Sequence, residues 1–304
     1  MWFKNLHLFR LTEPFTQSAV ELRESLEKQR FQPCSPQEPE RWGWTNPVGG
    51  HDDLLLEQNG RLMIAAHKEE KILPASVVNE HLAERLEALQ EKQQRRPRKA
   101  EREALKEEVL FELRPRAFSR RSTFHAYLNP RSGWLIINSA SQKNAEALTE
   151  LLRKSLGSLP IASPVLTNPP GTVMTHWLSD DSQPPEFTLE EECELHSPQE
   201  NGGIVRCRQQ PLSDPEIQGH LQAGKTVVKL SLNWRDRFSF VLDDEFSIKR
   251  LRFLELLQDK RDEIETDDDP LLNFEADFKL MSGELEKLLK ELLEAFGDEA
   301  NSLA

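Results

Sequence analysis

The sequence predicts an α+β fold: mixed antiparallel hairpins and helices in two α/β lobes, with a helical hairpin projecting from the first. Three observations predict it. Short runs alternate apolar and polar residues and are split by turn sequences, which is the pattern of strand pairs. Longer runs repeat their apolar residues at helical spacing. The two kinds of run are mixed without regular βαβ succession, which separates α+β from α/β. At 304 residues the chain is long enough for two ordinary domains. The N-terminal lobe is placed at residues 1–73 and 115–160, the projecting basic hairpin at 74–114, and the C-terminal lobe, with an acidic terminal helix, at 161–304.

Residues 2–11 alternate weakly and give an opening strand. Residues 15–30 have helical spacing at Val20, Leu22 and Leu26, with Thr16 or Ser18 as N-cap. Residues 31–50, rich in Pro, Gly and Trp, form a loop. Leu54–Leu56 and Leu62–Ala66, joined by Asn59-Gly60, form a hairpin because Asn-Gly accepts the positive φ of a tight turn. A helix follows Pro74, with Val78, Leu82, Leu86 and Leu89 as its stripe; Pro97 stops it, and a second stripe runs through Leu105, Val109 and Leu113. Residues 123–128 and 134–138 form another hairpin. Ser141 caps a helix with Ala145, Leu148, Leu152 and Leu156 inward and Gly157 past its end. The Pro-rich stretch 158–171 marks the boundary between lobes.

The second half repeats the mixture. Strands are expected at 191–195 and 204–209, split by Asn201-Gly202-Gly203, and at 226–232 and 237–242. A short helix opens at Ser213-Asp214-Pro215-Glu216. The last helix has Ser282 as its cap, Leu285, Leu288, Leu289, Leu292, Leu293 and Phe296 as its stripe, and Gly297 as its end.

Charge carries the functional signal. The chain is acidic, with a formal net charge of −13, yet residues 91–102 and 114–121 are basic. From Glu255 to Ala304 there are 16 Asp/Glu against 5 Lys/Arg, so the first 254 residues are nearly neutral. Clustered cations in an acidic chain point to a polyanion, and an acidic end repels it from another face. The alternative for the same run is a solvated helix face. The candidate DNA-contacting cations are Lys92, Arg95, Arg96, Arg98, Lys99, Arg102, Arg116, Arg120, Arg121, Lys225, Lys229, Lys249 and Arg250. Phe118, ringed by Arg116 and Arg120, suits an interface anchor.

Composition excludes other classes. With 37% hydrophobic and 30% charged residues, no run approaches bilayer-spanning length. The N-terminus lacks a signal-peptide pattern, so a cytoplasmic protein is expected. Cys34, Cys193 and Cys207, odd in number and far apart, fit reduced core thiols. Cys193, His196 and Cys207 lack a fourth ligand at ordinary spacing, so no metal site is expected. Two strings carry an alternative, a DNA-processing enzyme using magnesium or ATP. Gly219–Thr226 matches the P-loop pattern, but a helix precedes it and a strand follows, the reverse of what phosphate binding at a helix N-terminus requires. Asp52 or Asp53 with Glu69 and Lys71 matches a magnesium-binding nuclease set, for which salt-bridged surface charges are the simpler account. A third reading is an adaptor whose basic helices grip an acidic partner.

Longer strings resemble a known family. Met1–Leu6, Lys68–Pro74, Pro115–Arg120, Leu152–Pro160, Ala223–Lys225, Lys249–Leu251 and Asp277–Leu285 are similar to the bacterial recombination-associated RdgC family, essentially end to end. The resemblance implies a non-enzymatic DNA-binding protein of the nucleoid, without a cofactor. It implies binding to duplex and single-stranded DNA with little sequence preference, antagonism of the recombinase RecA, and a homodimer closed into a ring with a positive hole. Individual DNA contacts follow from charge, not from the resemblance.

Overall fold

Among the described residues, twelve antiparallel strands form one continuous sheet, accompanied by eight α-helices. The structure is a computed structural model and describes residues 2–50, 52–199, 202–264 and 269–297. Asn201 of the predicted turn, and the acidic residues within 265–268 and 298–299, lie outside the described residues.

The strands are β1 (Leu6–Leu11), β2 (Glu40–Thr45), β3 (Leu55–Gln58), β4 (Arg61–Ile72), β5 (Phe118–Asn129), β6 (Trp134–Asn138), β7 (Ile161–Ala162), β8 (Phe187–His196), β9 (Ile204–Arg208), β10 (Thr226–Trp234), β11 (Phe238–Asp243) and β12 (Ile248–Phe253). The helices are α1 (Ala19–Glu27), α2 (Ala75–Gln93), α3 (Lys99–Leu113), α4 (Gln142–Leu156), α5 (Pro170–Asp180), α6 (Pro215–Gln222), α7 (Glu255–Ile264) and α8 (Pro270–Phe296). The sheet order is β2-β4-β5-β6-β1-β12-β11-β10-β8-β9, with β3 also on β4 and β7 on β1. The N-terminal strands meet the C-terminal strands at β1 and β12, where Leu6 pairs with Ile248. The Pro-rich stretch near 158–171 therefore does not interrupt the sheet; its β7 returns to pair with β1.

Period-two alternation sets the layers. Leu62, Ile64, Ala126, Leu128, Leu135 and Ile137 point to one face and pack under α1 and α4. Met63, Tyr127 and Ile136, one residue out of step, point to the other and pack under α8. That second core runs on beneath α5, α6 and α8 to Leu230, Leu232, Trp234, Phe238 and Phe240. The N-terminal half is thus covered on both faces, and the C-terminal half on one.

Most expected elements are present, and the differences have local causes. The first helix begins at Ala19, with Ser18 as N-cap in a capping box with Glu21; Val20 of the expected stripe is 62% exposed. The expected loop 31–50 contains β2, an edge strand hidden by its Pro and Gly flanks. A Cβ on Gly43 would collide with the Phe31 Cα, so only glycine lets that segment pass. Lys249–Arg252 follow strand β11 and themselves lie in a further strand, β12. Helices α5 and α7 are additions to the expected set. Ser282 is not a cap: it lies inside α8, 1% exposed, with its hydroxyl donating to Phe278 O at 2.6 Å, while Asp269 caps the helix through Leu271 N–H at 2.8 Å. Asn59 and Gly60 have the positive φ expected of their turn. Cys193 and Cys207 are free and buried opposite each other on β8 and β9; burial, then the neighbouring Cys207, pushes the Cys193 thiol up to about 12.

Two histidines are buried neutral. Burial lowers His125 to about 4, against a hydrogen bond between its Nε2 and Pro47 O at 3.0 Å. Its folded value lies below its unfolded one, so the unfolded chain takes up the proton first and acid destabilises the fold. Between pH 6.5 and about 4 this side chain should remove roughly 1.4 kcal/mol of stability per pH unit. Urea unfolding of wild type and His125→Gln across that window checks it: the variant's stability should fall less steeply with acid.

Candidate nucleic-acid interface

The basic run 91–102 spans the end of α2, a short link and the start of α3. Val78, Leu82 and Val109 bury the contact between the helices, and Arg85 ties α2 to Glu108 and Glu112 of α3. Beyond that contact the side chains are exposed. Gln94 ends α2 in the left-handed region, φ 55°, and Pro97 prevents helix from resuming before Arg98. Glu101 then organises the link. Its carboxylate accepts from the Arg95 guanidinium and from the Arg98 N–H at 2.7 Å, which together hold it down at about 2.

The predicted cations therefore divide. Arg95 is paired with Glu101, and Lys99 lies 3.9 Å from Glu103. Lys92, Arg96, Arg98 and Arg102 are exposed and form no ion pair among the described residues; nor does Arg116, in the short 3-10 turn after α3. On β5, Arg120 stands opposite Glu70 and is paired with it, and Arg121 stands opposite Glu69 at 3.0 Å with its guanidinium over the Phe31 ring. Lys68 joins this cross-strand ladder at 2.9 Å from Glu70 and 3.2 Å from Glu40. Beside it, Phe118 is 85% exposed and pairs across the strands with Ile72, itself 45% exposed. Phe111, near the end of α3, is also exposed.

The C-terminal cations are occupied. Lys225 Nζ donates to Gly203 O at 3.2 Å. Lys229 is 3.1 Å from Glu194, and Arg250 is 2.6 Å from Glu192. Lys249 is half-buried between Asp243, at 3.8 Å, and His7 Nε2, at 3.3 Å. Burial first, then Lys249, lowers His7 to about 4, so the ring is neutral there. Sequence reasoning named Ile204–Gln209 as a strand without its cations Arg206 and Arg208, which alternate with buried Cys207 and join Glu194 and Glu192. That Arg-Cys-Arg alternation was the available signal. Arg235 and Arg237 serve a different end: they grip Glu291 and Glu284 of α8.

The two catalytic strings do not assemble. Gly219 lies in α6, and Thr226 begins β10, so helix precedes the loop and strand follows. Asp52 pairs with Arg30 at 2.8 Å and Asp53 with Arg23 at 3.0 Å. Glu69 is buried under Arg121 and also accepts the Cys34 N–H at 3.2 Å. Among the described residues no three His, Cys, Asp or Glu side chains come together as a metal-binding group. No helix among them is long and apolar enough to cross a membrane.

Comparison with known proteins places the chain in a family. Residues 1–299 match the family model described as "Putative exonuclease, RdgC". A protein of Aeromonas hydrophila named Recombination-associated protein RdgC is 46% identical over 304 residues, 100% of both chains. One of the same name from Tolumonas auensis is 45% identical over 300 residues, 98% of this chain and 99% of its own. A third, from Yersinia pestis, is 42% identical over 301 residues, 99% of each.

The ladder on β4 and β5 gives a stability test. Glu69→Ala leaves the Arg121 guanidinium and the Cys34 N–H without their acceptor, and should cost about 1–3 kcal/mol. The urea midpoint measures it, and the loss should be smaller in an Arg121→Ala background because the two changes share a partner.

Proposed function

The chain belongs to the RdgC family, whose named relatives are recombination-associated, and from that premise we propose that it binds DNA without sequence preference. It does so as a homodimer closed into a ring around DNA, and its presence limits access of a RecA-type recombinase during recombination and replication. The observation that carries this reading is the link between α2 and α3. Four exposed cations there, Lys92, Arg96, Arg98 and Arg102, have no ion-pair partner among the described residues, in a chain of net charge −13. Such a surface meets phosphates whatever the sequence of bases.

The organisation follows the same reading. Residues 74–114 form a hairpin that reaches toward DNA, residues 1–73 with 115–160 an N-terminal lobe, and residues 161–304 a C-terminal lobe. Phe118 and Ile72 form an apolar patch among cations, which suits a desolvated contact between two copies of the chain. Duplex and single-stranded DNA are the partners, and the site of action is the nucleoid. The chain acts by binding, with no chemical step: Asp52 and Glu69, which a nuclease would need together, hold Arg30 and Arg121 instead.

Reversing Arg96, Arg98, Lys99 and Arg102 to Glu should weaken every duplex sequence alike, by more than tenfold near 100 mM salt. It should also flatten the slope of log K against log salt by about 0.9 for each phosphate no longer neutralised. Fluorescence anisotropy on two unrelated sequences across a salt series reads both. Unchanged affinity would move DNA binding away from this link, and binding confined to one sequence would remove backbone recognition. Nicked or shortened DNA after incubation with magnesium would instead favour the exonuclease activity in the family description.

Phe118→Arg should shift the protein from dimer to monomer in sedimentation velocity without lowering its melting temperature, since the side chain contributes little to the protomer core. It should also shorten retention on closed circular DNA relative to wild type.

A further inference from the structure

Strand β9 closes one end of the sheet, and its outer edge is open. It pairs with β8 and, among the described residues, with no other strand. The opposite end is built differently. Residues 29–31 run along β2, where the Trp44 N–H donates to Gln29 O at 2.8 Å and the Phe31 N–H donates to Trp44 O at 2.9 Å. The register of β8 and β9 decides which groups of β9 are free. The Ser197 N–H donates to Gly203 O at 3.3 Å, so these two residues form a hydrogen-bonded pair. Antiparallel alternation then makes Leu195–Val205 and Cys193–Cys207 the next such pairs. Val205 and Cys207 therefore turn their N–H and C=O groups toward β8. Ile204, Arg206 and Arg208 turn theirs outward, where a further strand would lie.

The same three residues share the open face of the sheet. Val205 and Cys207 pack into the core, whereas Ile204 is 50% exposed and Arg206 and Arg208 are exposed beside it. The carboxylates that reach these arginines are shared. Glu194 lies 3.0 Å from Arg206 and also serves Lys229 at 3.1 Å, and Glu192 lies 3.4 Å from Arg208 and serves Arg250 at 2.6 Å. Two carboxylates thus stand against four permanent cations, which leaves the edge short of negative charge. An unpaired strand edge is a template for any extended chain, and side chains decide which chain it accepts. Like charges directly opposite each other destabilise a strand pair. The longest antiparallel overlap of two β9 edges would set the two Arg206 side chains against each other, so the edge disfavours its own copy. A strand bearing acids at alternate positions meets the opposite condition.

We propose that the outer edge of β9 receives an extended acidic segment of a partner protein as an added antiparallel strand. The segment carries an acid opposite Arg208, a second acid opposite Arg206 and an apolar residue opposite Ile204, which reads acid-x-acid-x-apolar along the partner. In that register each outward residue of β9 exchanges main-chain hydrogen bonds with the residue facing it. Main-chain bonds supply affinity, and the alternate side chains supply selectivity. The apolar residue covers Ile204, and each acid takes a guanidinium that now shares its carboxylate with another cation. β9 has five residues, and Gln209, at φ 54°, ends it, so the docked stretch is equally short. This contact is independent of the DNA-binding reading and neither requires the other.

The probe is a fluorescein-labelled peptide, Ser-Glu-Thr-Glu-Thr-Ile-Ser, followed by fluorescence anisotropy on the full chain. N-methylation of its second Glu, whose N–H faces β9, should weaken binding more than tenfold. N-methylation of the Thr between the two Glu residues, whose N–H faces away, should leave binding unchanged. Arg206→Gln keeps the outward N–H and should weaken the peptide about two- to fivefold, the range of one exposed ion pair. Arg206→Pro also removes that N–H and should weaken it more than tenfold. Proline is tolerated where a strand N–H faces solvent, so the melting temperature should stay close to that of the Gln variant. The N-methylated peptides use wild-type protein and keep the test decisive if the Pro variant does not fold. Equal loss for both N-methylated peptides, equal binding of a peptide of the same composition in scrambled order, or no binding at all overturns the proposal. So does displacement of the peptide by an oligothymidylate as readily as by unlabelled peptide, which would make the edge a general polyanion surface. A change from dimer to monomer in Arg206→Pro would make a second copy the occupant and overturn it as well.

Discussion

The packing of α8 against both halves of the sheet is the contact on which the rest of the molecule depends. The seam between β1 and β12 is narrow, with one register pair and the nearby Leu251 N–H to Lys4 O bond. A seam that short does not fix the angle between two five-strand arrays. α8 does. Phe278 meets Tyr127 edge-on, with ring centroids 5.5 Å apart, on the N-terminal side, and Phe296 meets Trp177 and Phe246 on the C-terminal side. Burying each such side chain is worth roughly 1.5–3 kcal/mol, well above the ~0–1 kcal/mol of an exposed ion pair, so apolar contact supplies the adhesion. The arginines supply register. Arg61 of β4 takes Glu286, and Arg237 and Arg235 at the β10–β11 turn take Glu284 and Glu291. Slipping the helix by one turn would break all three and leave buried Glu284 with only Lys287 of its own helix.

This arrangement decides where function can sit. With α1 and α4 on one face of the N-terminal strands and α8 on the other, those strands are apolar on both sides, and their charges are driven to strand ends and to the helices α2 and α3. The C-terminal strands have one free face, and there every second residue is released from the core. Glu192, Glu194, Arg206, Arg208 and Lys229 use that freedom. The acidic character of the last fifty residues also takes on a meaning that composition does not convey. Much of the negative charge of α8 goes into holding the helix down, so less of it is left to repel a polyanion.

Legibility from sequence followed how local each signal was. Asn59-Gly60, Pro97 and Gly157 act on their own backbone, and the turns and helix ends they mark lie where expected. The alternation in 226–242 located β10 and β11 because one face there is buried and the other is not. β2 was missed because its six residues are flanked by Pro and Gly and one of its own is Gly43. α8 was placed thirteen residues late because Ser282 resembles a cap, and nothing local says that its hydroxyl returns to Phe278 O inside a continuing helix. The single sheet is a tertiary fact: Leu6 and Ile248 are far apart in sequence, and no composition or period links them.

The same distinction governs the candidate site. A formal charge is a property of one residue, but an available charge depends on what the fold sets beside it. Arg120 and Arg121 look as free in sequence as Arg96 and Arg98, yet the register of β4 and β5 puts Glu70 and Glu69 directly opposite the first two. The α2–α3 link escapes this because its neighbours are local. Between Lys92 and Arg102 the sequence offers one acidic residue, Glu101, and the link's own geometry uses that carboxylate to join Arg95 to the start of α3. No strand among the described residues crosses nearby to bring another. A basic stretch keeps charge for a partner when its cations outnumber the acids within reach: here Glu101 takes Arg95 and Glu103 takes Lys99, which leaves Lys92, Arg96, Arg98 and Arg102 without an ion pair among the described residues.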